Sequence, residues 1–375
     1  MLKLDEVVNS DCLTWLAKQE EPFADLIFAD PPFNIGYQYD VYEDRRAYDD
    51  YYAWTEQWIT ACRRALKPTG AFWIAIGDDY AAEVRLLGRK AGLHLRNWVI
   101  WHYTFGQQTK LKFARSHTHL FYFVADARSF TFNDEAVRTF SDRQRRYNDR
   151  RANPAGKLPD DTWAEFPRVC GTFAEREGWH PCQMPETVLA RIVLATSRVG
   201  DVVFDPFAGS GTTLVAAKKY HRHYMGTELS PEYVDGIRRR LAEVQPIADL
   251  ATPGDWSPAH VELLQATYCS AGVRTSQLGE SPELLESFTQ HFNAKLTAAG
   301  CQRMYAAAEV WGRLESMRRR NELAMIRVHA FEDRLASVRP AEAYSSGAAG
   351  AVPIPRRRKT RRPAEVDLPL LADSV

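Results

Sequence analysis

Two short apolar runs, each stopped by an acidic residue and a proline, restrict the fold of this chain more than any other feature. Ala24-Asp25-Leu26-Ile27-Phe28-Ala29 ends at Asp30-Pro31-Pro32-Phe33, and Val202-Val203-Phe204-Asp205 ends at Pro206. Proline cannot extend a hydrogen-bonded ladder, so each run reads as a strand that stops there. Helical spacing alternates with such runs. Trp54, Trp58, Ile59, Cys62 and Leu66 mark a helix over Tyr51 to Leu66, ended by Lys67-Pro68-Thr69-Gly70. Ala71 to Ile76 is a buried-strand pattern, Tyr80 to Ala91 a helix, and Trp98–Tyr103 and Leu120–Val124 further strands. Later, Pro185 to Ser197 reads as a helix, Thr212 to Lys219 as another, His223 to Thr227 as a strand, and Ser230-Pro231 as the capped start of a helix to about Val244. Strands alternating with helices predict an α/β fold with a mostly parallel central sheet.

The alternation is interrupted once. Residues 125–178 are polar, arginine-rich and aromatic, without a period, and a structureless stretch of that length is usually functional or disordered. The chain therefore divides into 1–124 and 179–246 as two parts of one α/β core, the insert 125–178 between them, a helical extension over 257–338, and a basic, disordered tail over 340–375. Formal net charge is zero, so affinity for a polyanion must come from local basic patches. No apolar run reaches membrane-spanning length and the start lacks a signal-peptide pattern, so a cytoplasmic protein is expected. The six cysteines are scattered with no C-x-x-C pair, which argues against a zinc site or disulfide framework.

At the first strand end, Asp30 and the Pro31 carbonyl can accept two N–H bonds from an amino group on a flat ring, while Phe33 stacks on the ring face. The plainer alternative is a strand-ending turn with a core phenylalanine. At the second, Asp205-Pro206-Phe207-Ala208-Gly209-Ser210-Gly211-Thr212-Thr213 joins a strand to a helix, and its glycines allow close approach of a ligand. Glu228 ends the following strand, near where an acidic residue meets ribose hydroxyls. Leu214 stands where a dinucleotide fingerprint requires glycine, and no lysine follows Gly211 as a P-loop requires.

Taken together, these motifs resemble the amino-methylating DNA methyltransferases of the permuted, or beta, arrangement. There a D/S/N-P-P-Y/F/W motif comes first, a target-recognition segment follows, and an F-x-G-x-G cofactor loop comes last. Asp30 to Phe33, residues 125–178 and Phe207 to Gly211 repeat that order. Asn9-Ser10-Asp11-Cys12-Leu13 is similar to the family's G-D element with Ser10 for glycine. His180-Pro181-Cys182-Gln183-Met184-Pro185-Glu186 is similar to its H-P-x-Q-K-P-E element with Met184 for lysine.

The resemblance covers roughly residues 1–245 and implies a Rossmann-like S-adenosylmethionine-dependent methyltransferase fold carrying a target-recognition insert and a helical C-terminal extension. It implies S-adenosylmethionine as cofactor, with Asp11 at its adenine, Glu228 at its ribose and Asp205 to Thr213 at its methionine end. It implies double-stranded DNA as substrate, with the target base flipped onto Phe33 and methylated on its exocyclic amino group. The D-P-P form favours adenine N6, with cytosine N4 as the alternative. RNA or protein amino groups, or an inactive DNA-binding fold, are more remote alternatives. Pro181-Cys182 looks like the nucleophile dipeptide of cytosine carbon-5 enzymes, but no E-N-V accompanies it.

By position in the motif order, Arg143, Arg145, Arg146, Tyr147, Arg150 and Arg151 are expected to contact DNA. Lys110, Lys112, Arg115 and His117 are expected near the same cleft, although His117 and His119 also read as structural. The extension is read as a helix-turn-helix-like module, a homodimer contact, or packing against the core, with Val310, Leu314 and Met317 as its apolar stripe. Arg356 to Arg362 reads as a flexible arm adding salt-sensitive affinity. A cognate restriction endonuclease is the partner such a family member admits.

Overall fold

The protein is described by a computed structural model covering residues 2–37, 39–107, 110–145, 147, 149, 151–171, 175–247, 256–320 and 322–323, without the side chains of 105–107. Eight strands form one sheet: β1 (Glu6–Asn9), β2 (Ala24–Ala29), β3 (Leu66–Ile76), β4 (His94–Gln107), β5 (Arg115–Val124), β6 (Thr162–Trp163), β7 (Val202–Asp205) and β8 (His223–Glu228). Their order is β1-β8-β7-β2-β3-β5-β4-β6. Only β5 runs against the others, because β4 and β5 form an antiparallel hairpin. From β2 the chain crosses to β3 on one side, and from β7 to β8 on the other. The β2–β7 seam is thus a topological switch point, where a crevice opens beyond the carboxyl ends of the strands.

The expected α/β alternation is present. Tyr48–Ala65, Ala81–Lys90, Glu186–Thr196, Thr212–Lys219 and Pro231–Glu243 are helices, the last capped by Ser230, whose hydroxyl accepts from the Tyr233 N–H. Three details differ from the expectation. β3 begins at Leu66, so Lys67-Pro68-Thr69-Gly70 belongs to a strand, with a register shift against β2 between Ala24 and Leu26. The β4–β5 hairpin is longer at both ends than its apolar runs. β6, from inside the aperiodic insert, adds an edge strand parallel to β4.

The extension contributes helices at Pro258–Ala271, Thr275–Glu280, Pro282–Ala298 and Ala307–Arg319. Its buried Leu264, Phe288, Phe292, Val310, Leu314 and Met317 join one continuous apolar cluster with Val188, Ile192 and Phe140. Polar ties reinforce that contact. Buried Arg222 donates to the Ala298 carbonyl at 2.7 Å, and Lys219 pairs with Glu186 at 2.7 Å and Glu262 at 2.6 Å. Packing against the core is therefore the role this geometry displays. The expected tail over 340–375, and 324–338 of the extension, lie outside the described residues.

Candidate active site

The carboxyl ends of β1, β8, β7, β2 and β3 meet around one cleft of about 310 Å³. Its walls include Asp11, Asp30 to Phe33, Asp205 to Ser210, Thr212, Thr213 and Glu228. Two motifs far apart in the chain thus share one cavity because β2 and β7 are neighbours.

The Asp30 turn is held from behind. The Tyr51 hydroxyl donates to the Pro32 carbonyl at 2.6 Å. The next residues fold around the buried Asp44 carboxylate, which accepts from the backbone N–H groups of Asn34, Ile35 and Tyr37. Asn34, at φ +57°, adds side-chain bonds to Arg46 and Tyr80. Further along this loop, Asp40 accepts from the Ser230 hydroxyl at 2.5 Å, tying the loop to the helix after β8.

Glu228 accepts from the Gly209 N–H at 2.9 Å and the Ser230 N–H at 3.0 Å, which fixes its carboxylate at the cleft. Asp11 caps the helix Cys12–Leu16 by accepting from the Thr14 N–H and hydroxyl. The glycines of the loop answer to protein packing as well as to a ligand. Gly209 has φ +52° and a Cβ there would sit 3.1 Å from His180 Nε2; Gly211 has φ +77° and a Cβ would sit 2.8 Å from Ile237. Gly211 faces that helix and does not line the cleft.

Buried charge is concentrated here. Asp205 is 2% exposed. Burial pushes it up to about 7, although the Thr213 hydroxyl and the Phe207 N–H favour its anion. Asp30 is likewise raised to about 7, by burial first and by Asp205 second, with Arg168 acting in the opposite direction. Burial also raises Glu228 and pushes His180 down to about 4. Burial thus disfavours the anions of Asp30 and Asp205, and a cation entering the cleft favours them.

Further side chains shape the site, and of these Arg240 and Arg168 carry no signal in the sequence pattern. Buried Arg240 donates at 3.0 Å to both the Ser210 carbonyl and the Thr212 hydroxyl, and pairs with Glu177 at 3.4 Å, gripping the glycine loop from behind. Gln183 fixes residues 175–177 by bonds to the Glu175 carbonyl and the Glu177 N–H. Arg168, from the insert, stands at the cleft with its guanidinium 5.6 Å from the Tyr103 ring centroid. Cys182 also lines the cleft, but burial and Asp30 raise its thiol, the reverse of what a nucleophilic thiolate requires.

At the other wall, Phe33 lies against Gly77 at the end of β3, where a Cβ would be 3.2 Å from its ring. Arg115 pairs with Asp78 at 3.0 Å and Asp79 at 3.1 Å, and His117 and His119 each meet Asp78 Oδ1 at 3.1 Å. Asp78, His117 and His119 have the spacing of a metal site. Trp98 Nε1, however, can only donate, and it donates to His119 Nδ1 at 2.9 Å. His119 Nε2 therefore carries the proton and gives it to Asp78, leaving no lone pair for an ion. The group instead fixes Arg115 and His117 at the cleft wall.

Apart from Arg168, the insert's cluster of arginines does not line the cleft among the described residues. Arg143 and Tyr147 are exposed, and Arg151 pairs with Asp149. Arg145 pairs with Asp142 and packs against Gly272 of the extension. Arg146 and Arg150 lie outside the described residues.

Comparison with known proteins agrees with this geometry. Residues 24–239 match the family model described as DNA methylase, of the N6/N4 type. DNA adenine methyltransferase YhdJ of Escherichia coli (strain K12) is 36% identical over 242 residues, 62% of this chain and 81% of that protein. Type II methyltransferase M.HpaI of Haemophilus parainfluenzae is 32% identical over 236 residues, 63% of this chain and 73% of that protein. The cytosine-N4-specific PvuII DNA methyltransferase shares the fold, with a TM-score of 0.50 at 18% identity over 62% of this chain and 85% of that one. This chain belongs to the N6/N4 DNA methylase family.

Proposed function

We propose that the protein transfers a methyl group from S-adenosylmethionine to the N6 amino group of an adenine flipped out of duplex DNA, through the permuted motif order its sequence displays. The observation that carries the reading is the convergence of Asp30-Pro31-Pro32-Phe33 and the Asp205–Gly211 loop on one cleft across the β2–β7 seam. The residues present fit the cofactor. Two carboxyls raised to about 7, Asp205 buried and Asp30 partly so, suit a cation, Glu228 is fixed where hydroxyls can be bound, and the cleft volume is that of a small-molecule site. S-adenosylmethionine supplies an electrophilic methyl group on a sulfonium.

The chain's own part is positioning and electrostatics. Asp30 as carboxylate accepts from the amino group and stabilises the positive charge that develops on nitrogen as the bond to carbon forms. The Pro31 carbonyl accepts the second N–H, and Phe33 stacks on the base. The proton leaves after transfer, with Asp30 the nearest base. Asp11 and the Asp205–Thr213 loop hold the cofactor, and Arg143, Arg145, Arg146, Tyr147, Arg150, Arg151 and Arg168 belong to the DNA side. Relatives include a DNA adenine methyltransferase, which supports adenine; the shared fold of a cytosine-N4-specific enzyme keeps N4 as the second reading.

The test is nucleoside mass spectrometry of duplex DNA after incubation with protein and isotopically methyl-labelled cofactor. N6-methyladenine is expected, and Asp30→Ala is expected to lower its formation at least about 1000-fold with cofactor affinity changed by less than about tenfold. N4-methylcytosine would correct the base, and loss of cofactor binding in Asp30→Ala would misplace the site.

A further inference from the structure

The β4–β5 hairpin overhangs the edge of the sheet on which the cleft opens. Ile76, the last residue of β3, pairs with His119, and β5 continues outward through His117 to Arg115. That overhang is about 13 Å at the usual strand rise. Arg115 and His117 line the cleft beside Phe33. Lys110-Leu111-Lys112-Phe113 stands beyond them at the tip.

Leu111 and Phe113 are each 99% exposed, whereas every other exposed large apolar side chain among the described residues is at 73% or less. Among the described residues none covers these two side chains, and solvent gives no reason to keep them there. They alternate with lysines and are followed by Arg115, so the arm presents apolar wedges among cations.

We propose that Leu111 and Phe113 enter the base stack of duplex DNA beside the target nucleotide and occupy space that the flipped base vacates, with Lys110 and Lys112 at the flanking phosphates. Apolar wedges combined with basic side chains are the chemistry by which proteins unstack a base step. The occupant is DNA and not a second copy of this chain for two reasons. Two lysine-bearing tips repel each other, and four tip residues bury far less area than a stable dimer requires. The arm also continues directly into the cleft wall, so a duplex whose base reaches Phe33 passes the tip. The inference rests on the reading of the cleft as a pocket for a flipped base.

The test uses the full chain and its Leu111→Ala/Phe113→Ala double variant. The substrate is a duplex containing the recognition site, with adenine at the target position for kcat/KM and, in a parallel preparation, 2-aminopurine, which lacks the 6-amino group, to report unstacking. A second duplex carries an abasic site opposite the target, which lowers the cost of extrusion. The expected result is unchanged cofactor affinity by calorimetry, and at least about a tenfold loss of both the fluorescence rise and kcat/KM on the paired duplex. On the abasic duplex, the variant should return to within about threefold of the wild type.

Equal loss on both duplexes, or no loss on either, overturns the proposal. So does a wild-type dimer that the variant converts to monomer in sedimentation velocity, which would assign the tip to self-association. If the wild type leaves DNA unmodified under all conditions, the pocket reading fails first and takes the wedge with it. That outcome is distinct from a wild type that is active and a variant that matches it.

Discussion

Asp30 and Asp205 face each other across the β2–β7 seam, and each is pushed up to about 7, chiefly by burial. A carboxyl whose folded pKa is raised favours the protonated protein. Its contribution to stability is full below the unfolded value near 4 and is lost as pH rises through 7. The free protein should therefore lose thermal stability from about pH 4 to about pH 7. A bound cation lowers both values, so cofactor binding should tighten over the same range and release protons near pH 6.5. Calorimetry in two buffers of different ionisation enthalpy measures that release, and binding enthalpies independent of buffer would contradict the assignment.

Arg240 is the second test at this scale. Arg240→Met removes the bonds to Ser210 and Thr212 and leaves Glu177 without its cation. It should cost about 2–4 kcal/mol of stability and weaken cofactor binding more than DNA binding, measured by denaturation and calorimetry. The acidic and glycine residues of the site were legible in the sequence because backbone chemistry ties them to strand ends. Arg240 and Asp44 were not, since a buried polar residue within a helix or loop shows no period and acquires its role only from what folds next to it.

At the scale of elements, strands and helices followed their apolar periods closely, as in Thr212–Lys219, whose limits match the expectation. The errors fell where tertiary pairing overrides pattern. β3 takes in Pro68 and Gly70, the β4–β5 hairpin continues past its apolar residues, and β6 draws two residues of the insert onto the sheet edge.

The insert's arginine segment also takes its place from tertiary packing. Its backbone is held by the extension. The Ser287 hydroxyl donates to the Pro154 carbonyl, His291 Nε2 meets the Ala155 carbonyl at 2.9 Å, and the Gln277 amide donates to the Arg145 carbonyl at 3.2 Å. Burial pushes His291 down to about 4, so it is neutral at physiological pH and donates to that carbonyl. Ser287→Ala combined with His291→Ala should loosen residues 139–157, seen as at least about tenfold faster amide exchange there with the β2–β7 strands unchanged. Uniform exchange across the molecule would deny the extension this local role.

At the scale of the whole molecule, the extension completes the core beyond residues 24–239, which the family model matches. Val188 and Ile192 of the core helix share their cluster with Leu264, Phe288 and Phe292. A chain ending at residue 246 would expose that surface and leave Lys219 and Arg222 without Glu262 and the Ala298 carbonyl. It should melt at least about 10 °C lower or fail to remain soluble, since exposing several core side chains costs more than a marginal stability allows. A truncated chain that melts like the full one would make the extension an independent module. The sequence pattern could show that these helices have apolar stripes but not which surface covers them.

The central claim is that Asp30 and the Asp205–Gly211 loop form one amino-methylating centre. The most direct test is modification-sensitive long-read sequencing of plasmid DNA from cells expressing the wild type or Asp30→Ala. Modified adenines at one sequence motif with the wild type, and none with the variant, are the predicted result. The same modified positions in both samples, or modification confined to atoms other than an exocyclic amino group, would contradict it.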